Sequence, residues 1–337
     1  MTSREIVMAN LNHDGPPRPG FKFERDRLDD FCLAGAGPSK TFQPRRWEEG
    51  PFEYYEDEWK NLWKRMKDGC MKGEIHKPAL EDWAQLDGMH VPDLDNPERY
   101  AGMRERFAAH PDQFKAGFVN WVFNAARYLR RMDIYFMDLI QYRDEIERLH
   151  DTIADVLEGS IHCVADAGAD AIFFGEDLGV QDRLLMSPAM WRDIFQRHYV
   201  RLTNAAHERG LKVIMHSCGY NWELIDDLCQ AGIDCFQFDQ PAVYDMPALA
   251  GKLRHYGAAL FSPVDIQKVL PTGDRAFIEA EAERMVNTFR GFLICSVYPD
   301  LHGIGVEREW DDWAYEAVLR ASGIDPADHP YEKPYAT

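Results

Sequence analysis

ADAIFFGED (residues 169–177) and LKVIMHSCG (residues 211–219) are the two stretches on which the fold turns. Each is a short, almost unbroken apolar run that follows a glycine and ends in polar, reactive side chains. Apolar runs without alternation mark strands covered on both faces, as in a parallel sheet. The intervening segment, PAMWRDIFQRHYVRLTNAAHERG (188–210), has helical periodicity, a proline at its start and a glycine at its end.

The same unit recurs on both sides. Upstream lies the helical YRDEIERLHDTIADVLEGSIHCVADAG (142–168). Downstream, the helix WELIDDLCQAG (222–232) leads into IDCFQFDQP (233–241), and MPALAGKLRHYG (246–257) into AALFSPVD (258–265). DRAFIEAEAERMVNTFRG (274–291) then leads into FLICSV (292–297). At least five αβ units therefore fall between residues 140 and 297. That alternation means an α/β fold. With no G-x-G-x-x-G after a strand, it predicts a (β/α)₈ TIM barrel rather than an open doubly wound sheet.

The rhythm starts near residue 115, where FVNWVF (118–123) reads as a strand and AARYLRR (125–131) as a helix. Before it, residues 1–50 are rich in proline, glycine and charge and read as an irregular arm. Tyr55, Trp59 and Trp63 stand four residues apart, which predicts an amphipathic helix there. The chain thus divides into an N-terminal arm with a helical extension, 1–110, packed on a barrel core, 111–337, as one domain overall.

Composition narrows the functions. The formal net charge of −19 opposes binding to nucleic acid and to anionic lipid. No apolar stretch reaches the roughly 18 residues a membrane span needs, and MTSREIVMANLNHDG lacks the apolar core of a signal peptide. A cytoplasmic location is the expectation. The seven cysteines are odd in number and irregularly spaced, so free or metal-binding thiols are expected rather than a disulfide framework.

Reactive residues gather where strands end: Glu176 and Asp177, then His216 and Cys218, Asp239 and Gln240, Asp265, and Cys295. In a barrel these ends converge on the catalytic face. The sharpest pattern is His216-Ser217-Cys218-Gly219. Residues two apart in extended backbone point the same way, so imidazole and thiolate can reach one ion, and both are zinc donors. A third ligand is required. Cys295 at the end of a later strand and His302 in LHGIG are the candidates. Three protein ligands with an open position would make a catalytic zinc site.

Four segments in this order, FFGEDLGVQDRLLMSP (173–188), VIMHSCGYNWELIDDLCQAGIDCFQFDQP (213–241), LFSPVDIQKVLPTGD (260–274) and LHGIGVERE (301–309), resemble the uroporphyrinogen decarboxylase superfamily. The resemblance covers roughly residues 115–320, more loosely 55–115, and implies a (β/α)₈ barrel. The superfamily contains metal-free decarboxylases and methyltransferases that work with corrinoid proteins. The latter include enzymes whose zinc is held by an H-x-C pair and a distant cysteine. The decarboxylases' arginine-containing N-terminal segment for substrate propionates is missing here, and the nearest basic pair is Arg45-Arg46.

The resemblance therefore implies a zinc-dependent methyltransferase that moves a methyl group between a small methylated substrate or thiol and a corrinoid (cobalamin) on a partner protein. His216, Cys218 and Cys295 would hold Zn²⁺, with His302 in place of Cys295 if the later segment aligns differently. Glu176, Asp177 and Gln181 would contact substrate or transfer protons, and Asp265 or His302 could share that work. Two alternatives stand beside this reading: a metal-free decarboxylase or lyase of a small carboxylated substrate, and a non-catalytic small-molecule binding protein.

Overall fold

A computed structural model of the chain describes residues 1–67 and 73–333. Its main sheet has eight parallel strands: β1 (Gly20–Lys22), β2 (Phe31–Ala34), β7 (Phe114–Phe118), β8 (Ala171–Gly175), β9 (Lys212–His216), β10 (Cys235–Gln237), β11 (Ala259–Ser262) and β12 (Leu293–Ser296). They run in the order β1-β12-β11-β10-β9-β8-β7-β2. The gap between β1 and β2 is narrowed by local bonds. Lys22 bridges Asp29, the Asp30 N–H donates to the Phe21 carbonyl at 2.8 Å, and the Asp30 carboxylate accepts from the Phe21 N–H at 2.8 Å. The result is a nearly closed (β/α)₈ barrel.

The barrel therefore begins well before residue 111, because β1 and β2 come from the segment that reads as an irregular arm. They are too short for a periodic signal and follow Pro19 and Asp30. The next strand also lies earlier than FVNWVF. β7 is FKAGF, and Trp121 already starts the helix Val122–Leu129.

The expected helix through Tyr55, Trp59 and Trp63 is instead a hairpin. A second, antiparallel sheet holds β3 (Arg46–Glu49), β4 (Phe52–Glu56), β5 (Leu62–Met66) and β6 (Glu74–Lys77). Tyr55 and Trp63 face each other across β4 and β5, rings stacked with centroids 6.0 Å apart, and Trp59 lies in the turn between them. The four-residue spacing is symmetry about a turn, not a helical face. The Asp57 carboxylate closes that turn by accepting from the Trp59 and Asn61 N–H groups and the Trp63 indole, at 3.0, 2.9 and 2.7 Å. Aspartate collecting nearby N–H groups is a turn device that competes with helix.

Inside the barrel, Phe261 stacks on Phe31 and meets Phe173 at a tilt, with centroids 5.4 and 5.9 Å apart. Alternate residues point outward. Phe174 stacks on Trp121 at 3.7 Å, under the helix Gln196–Glu208 that supplies Tyr199. That helix also buries His198 against His150 of the helix Arg143–Asp166, ring centroids 5.5 Å apart.

Burial holds the His198 imidazole down at about 4, against 6.5 in an exposed chain. Between these values the unfolded chain takes up a proton that the folded chain refuses. Stability is therefore lost as pH falls from about 6.5 towards 4, by about 3 kcal/mol for this group. Urea midpoints at about pH 7 and pH 4.5 should fall less in His198→Gln than in the wild type. An equal fall would refute the assignment.

Candidate active site

The strand register decides which side chains meet. In parallel pairing, Gly175, His216, Gln237, Phe261 and Ile294 lie side by side across β8 to β12. Side chains in register share a face and neighbours along a strand alternate. His216 and Gln237 thus point into the barrel with Phe261. Cys295, one residue past Ile294, points to the helix layer instead, where it is 1% exposed. Burial pushes its thiol well up.

The same parity separates the two acids after β8. Glu176 faces outward and is fully buried, accepting from the Asn124 N–H at 3.0 Å and from the Tyr199 hydroxyl. Burial raises it to about 7, against the pull of the Tyr199 bond. Asp177 returns to the mouth, and there the structure assembles one cluster. Asp177, His216 and Cys218 each offer a ligand atom, all within 4.8 Å of one another. His216 Nε2 is 3.4 Å from Cys218 Sγ and 3.4 Å from Asp177 Oδ1, which also accepts the Cys218 N–H at 3.2 Å. All three residues are partly exposed.

The chain turns sharply after Cys218. Gly219 has φ +79°, and the Tyr220 N–H donates to the Val180 carbonyl at 2.7 Å, tying the loop after β9 to the loop after β8. Behind the cluster, His216 Nδ1 bonds Gln237 Oε1, and Gln237 Nε2 donates to Asp239 Oδ1 at 2.7 Å. An amide oxygen only accepts, so Nδ1 carries the proton and Nε2 faces Cys218 and Asp177 as a free lone pair when the ring is neutral.

On the other side, Arg127 donates to Asp177 Oδ2 at 3.4 Å and to Asn124 Oδ1 at 2.8 Å. Burial alone would raise Asp177, but the His216 imidazole and Arg127 guanidinium outweigh it and hold the carboxyl well below its usual range. For His216, burial lowers basicity, and the bonds to Asp177 and Cys218 with the charge of Asp239 more than reverse this.

The remaining expected residues sit elsewhere. The Asp265 carboxylate is occupied by the N–H groups of Ala242, Gln267 and Lys268, at 2.9, 2.9 and 2.6 Å, so it braces loops. Gln181 is exposed in the loop after β8. His302 is exposed on a short 3₁₀ turn beyond β12 and lines a separate cavity with Arg25 and Arg308. Neither Cys295 nor His302 belongs to the cluster, and Asp177 supplies its third donor. Arg45 and Arg46 are paired with Glu56 and Glu53 on the second sheet. The six described cysteines form no disulfide, while Cys70 lies outside the described residues.

Gln237 and Arg127 did not emerge from the sequence. Gln237 had one usable signal, its place two residues before Asp239 on an otherwise apolar strand. Gln237→Leu should leave the fold intact but release the imidazole, lowering metal affinity about 10–100-fold. Competition with a zinc chelator measures this, and unchanged affinity would deny Gln237 the role.

A parallel barrel with an imidazole, a thiol and a carboxylate converging at the carboxyl ends of its strands defines an enzyme-like scaffold with a candidate metal-binding cluster. The chain matches the uroporphyrinogen decarboxylase (URO-D) family over residues 66–297, and it belongs to that family. Among solved structures it resembles a methyltransferase from Methanosarcina mazei, at 18% identity and a TM-score of 0.58, over 78% of this chain and 73% of that one. D-psicose 3-epimerase, solved with D-fructose, is similar at 10% identity and a TM-score of 0.42, over 72% of this chain and 86% of that one. No curated protein matches the chain in sequence. No helix among the described residues is long and apolar enough to cross a membrane.

Proposed function

We propose that this protein is a zinc-dependent methyltransferase that moves a methyl group between a small methylated substrate or thiol and a corrinoid carried by a partner protein. The observation that carries the reading is the convergence of Asp177, His216 and Cys218 at the barrel mouth. Nitrogen, sulfur and carboxylate oxygen form a donor set that suits zinc, and three protein ligands leave a fourth position for substrate. Zinc bound there would lower the pKa of a thiol and keep it nucleophilic at neutral pH.

The chain's own residues have distinct tasks in this reading. Gln237, held by Asp239, orients the imidazole. Arg127 fixes the direction of the Asp177 carboxylate through Oδ2, leaving Oδ1 towards His216. Glu176 acts from the helix layer, where it anchors the Asn124 backbone and thereby the start of the helix that bears Arg127. It is a positioning residue, not a substrate contact.

A second reading is a metal-free lyase or decarboxylase. It is favoured by the family and by the approach of Asp177 to His216, which could relay a proton without a metal. The discriminating assay uses methylcobalamin as methyl donor and a small thiol as acceptor, followed by the absorbance of the corrinoid. Transfer that is lost on dialysis against a chelator and restored by zinc supports the methyltransferase. Full activity after chelation, or no transfer by zinc-loaded protein, overturns it.

A further inference from the structure

The site at the barrel mouth leaves a second concavity unused. The segment 78–90 runs beside the second sheet, and a cavity of about 600 Å³ opens between them. This segment is fastened to the barrel's flank, with the Leu80 N–H donating to the Leu129 carbonyl at 3.0 Å and Arg130 Nη1 to the Leu80 carbonyl at 2.9 Å. The cavity shares no lining residue with the Asp177, His216 and Cys218 cluster.

Three features of its lining point to a ligand. First, charge is uneven. Arg45 is neutralised by Glu56, and Lys77 by Glu81 at 3.0 Å, but the Lys60 ammonium has no hydrogen-bond or ion-pair partner among the described residues. On a chain of net charge −19, an exposed cation in a concavity with no ion-pair partner among the described residues stands out. Second, Lys60 is held at φ +67°, a conformation that an unbranched L-residue avoids and that recurs at ligand clamps. The turn built on the Asp57 carboxylate imposes it. Third, His90 lines this cavity, and its Nε2, buried beneath the surface, has no hydrogen-bond partner among the described residues. Trp59 and Met89 add apolar wall.

We infer that this cavity binds a small organic monoanion, a carboxylate on an apolar body, with Lys60 as its counter-ion and Trp59 against its apolar part. A monoanion fits better than a phosphate, because among the described lining residues Lys60 is the one cation without an ion pair, and Glu56 and Glu81 would repel a second negative charge. The site is separate from the methyl-transfer site, so either can fail without the other.

Benzoate is the probe, titrated calorimetrically into the full chain, with benzyl alcohol as the uncharged control. Wild-type protein and Cys218→Ala should bind benzoate alike. Lys60→Gln should bind at least about tenfold more weakly, as loss of a charge-assisted contact requires, and benzyl alcohol should bind no better than that variant binds benzoate. Lys60→Gly removes the charge and relieves the backbone, so it should lose benzoate while melting no lower than wild type. Equal affinity in Lys60→Gln, absence of any binding heat, or binding lost in Cys218→Ala and kept in Lys60→Gln would each overturn the proposal.

Discussion

Cys218→Ala is expected to lose bound zinc, with affinity down more than about 100-fold, whereas Cys295→Ala keeps it. The sequence pairs both cysteines with His216, and the register separates them. Cys218 lies two residues beyond His216, and its Sγ is 3.4 Å from Nε2. Cys295 follows Ile294, which is in register with Phe261, Gln237 and His216, so its side chain leaves on the opposite face of the sheet. It also stands three strands away from β9 around the barrel. Asp177→Asn should resemble Cys218→Ala in direction, because it removes the charged donor facing Nε2. Cys295→Ala deletes a small buried group, and about 1 kcal/mol of stability is the expected cost. Elemental analysis of purified variants decides the matter. Zinc retained by Asp177→Asn but lost from a folded Cys295→Ala would restore the distant cysteine as ligand. A wild type that takes up no zinc under reducing conditions would leave the metal-free lyase as the better reading.

Gly219→Ala should be the most damaging single-methyl change at the site. Gly219 sits at φ +79°, and a Cβ there would lie 2.5 Å from both the Gly179 carbonyl carbon and the Val180 oxygen. Those are backbone atoms and cannot rotate aside. The left-handed conformation costs an alanine about 1–2 kcal/mol, and separating the two loops raises the expected loss to about 2–4 kcal/mol. In thermal melts of a 337-residue chain this corresponds to roughly 3–6 °C. The displaced backbone carries Cys218, so zinc affinity should fall as well. Gly210→Ala is the control. Its φ of +74° imposes similar strain, but nothing lies within 4 Å of the added carbon, so it should melt only slightly below wild type. If the two variants melt together, the contact between the loops is not what fixes Gly219.

The αβ rhythm from residue 142 to 297 was legible because each strand is buried on both faces, which leaves unbroken apolar runs closed by glycine-ended helices. His216 and Cys218 were legible for a local reason, since i and i+2 on an extended backbone meet by covalent geometry alone. Three things were fixed only by tertiary structure. β1 and β2 are three and four residues long and gain their partners from β12 and β7, nearly three hundred and about eighty residues away in sequence. The aromatic spacing at 55, 59 and 63 fits a helix and a hairpin equally, and the turn around Asp57 chose the hairpin. The third donor and its supports depend on register across separate strands. A shift of one residue exchanges the two faces of a strand. That parity sends Asp177 to the mouth and Glu176 to the helices, and it turns Cys295 away from the pair with which the sequence had joined it.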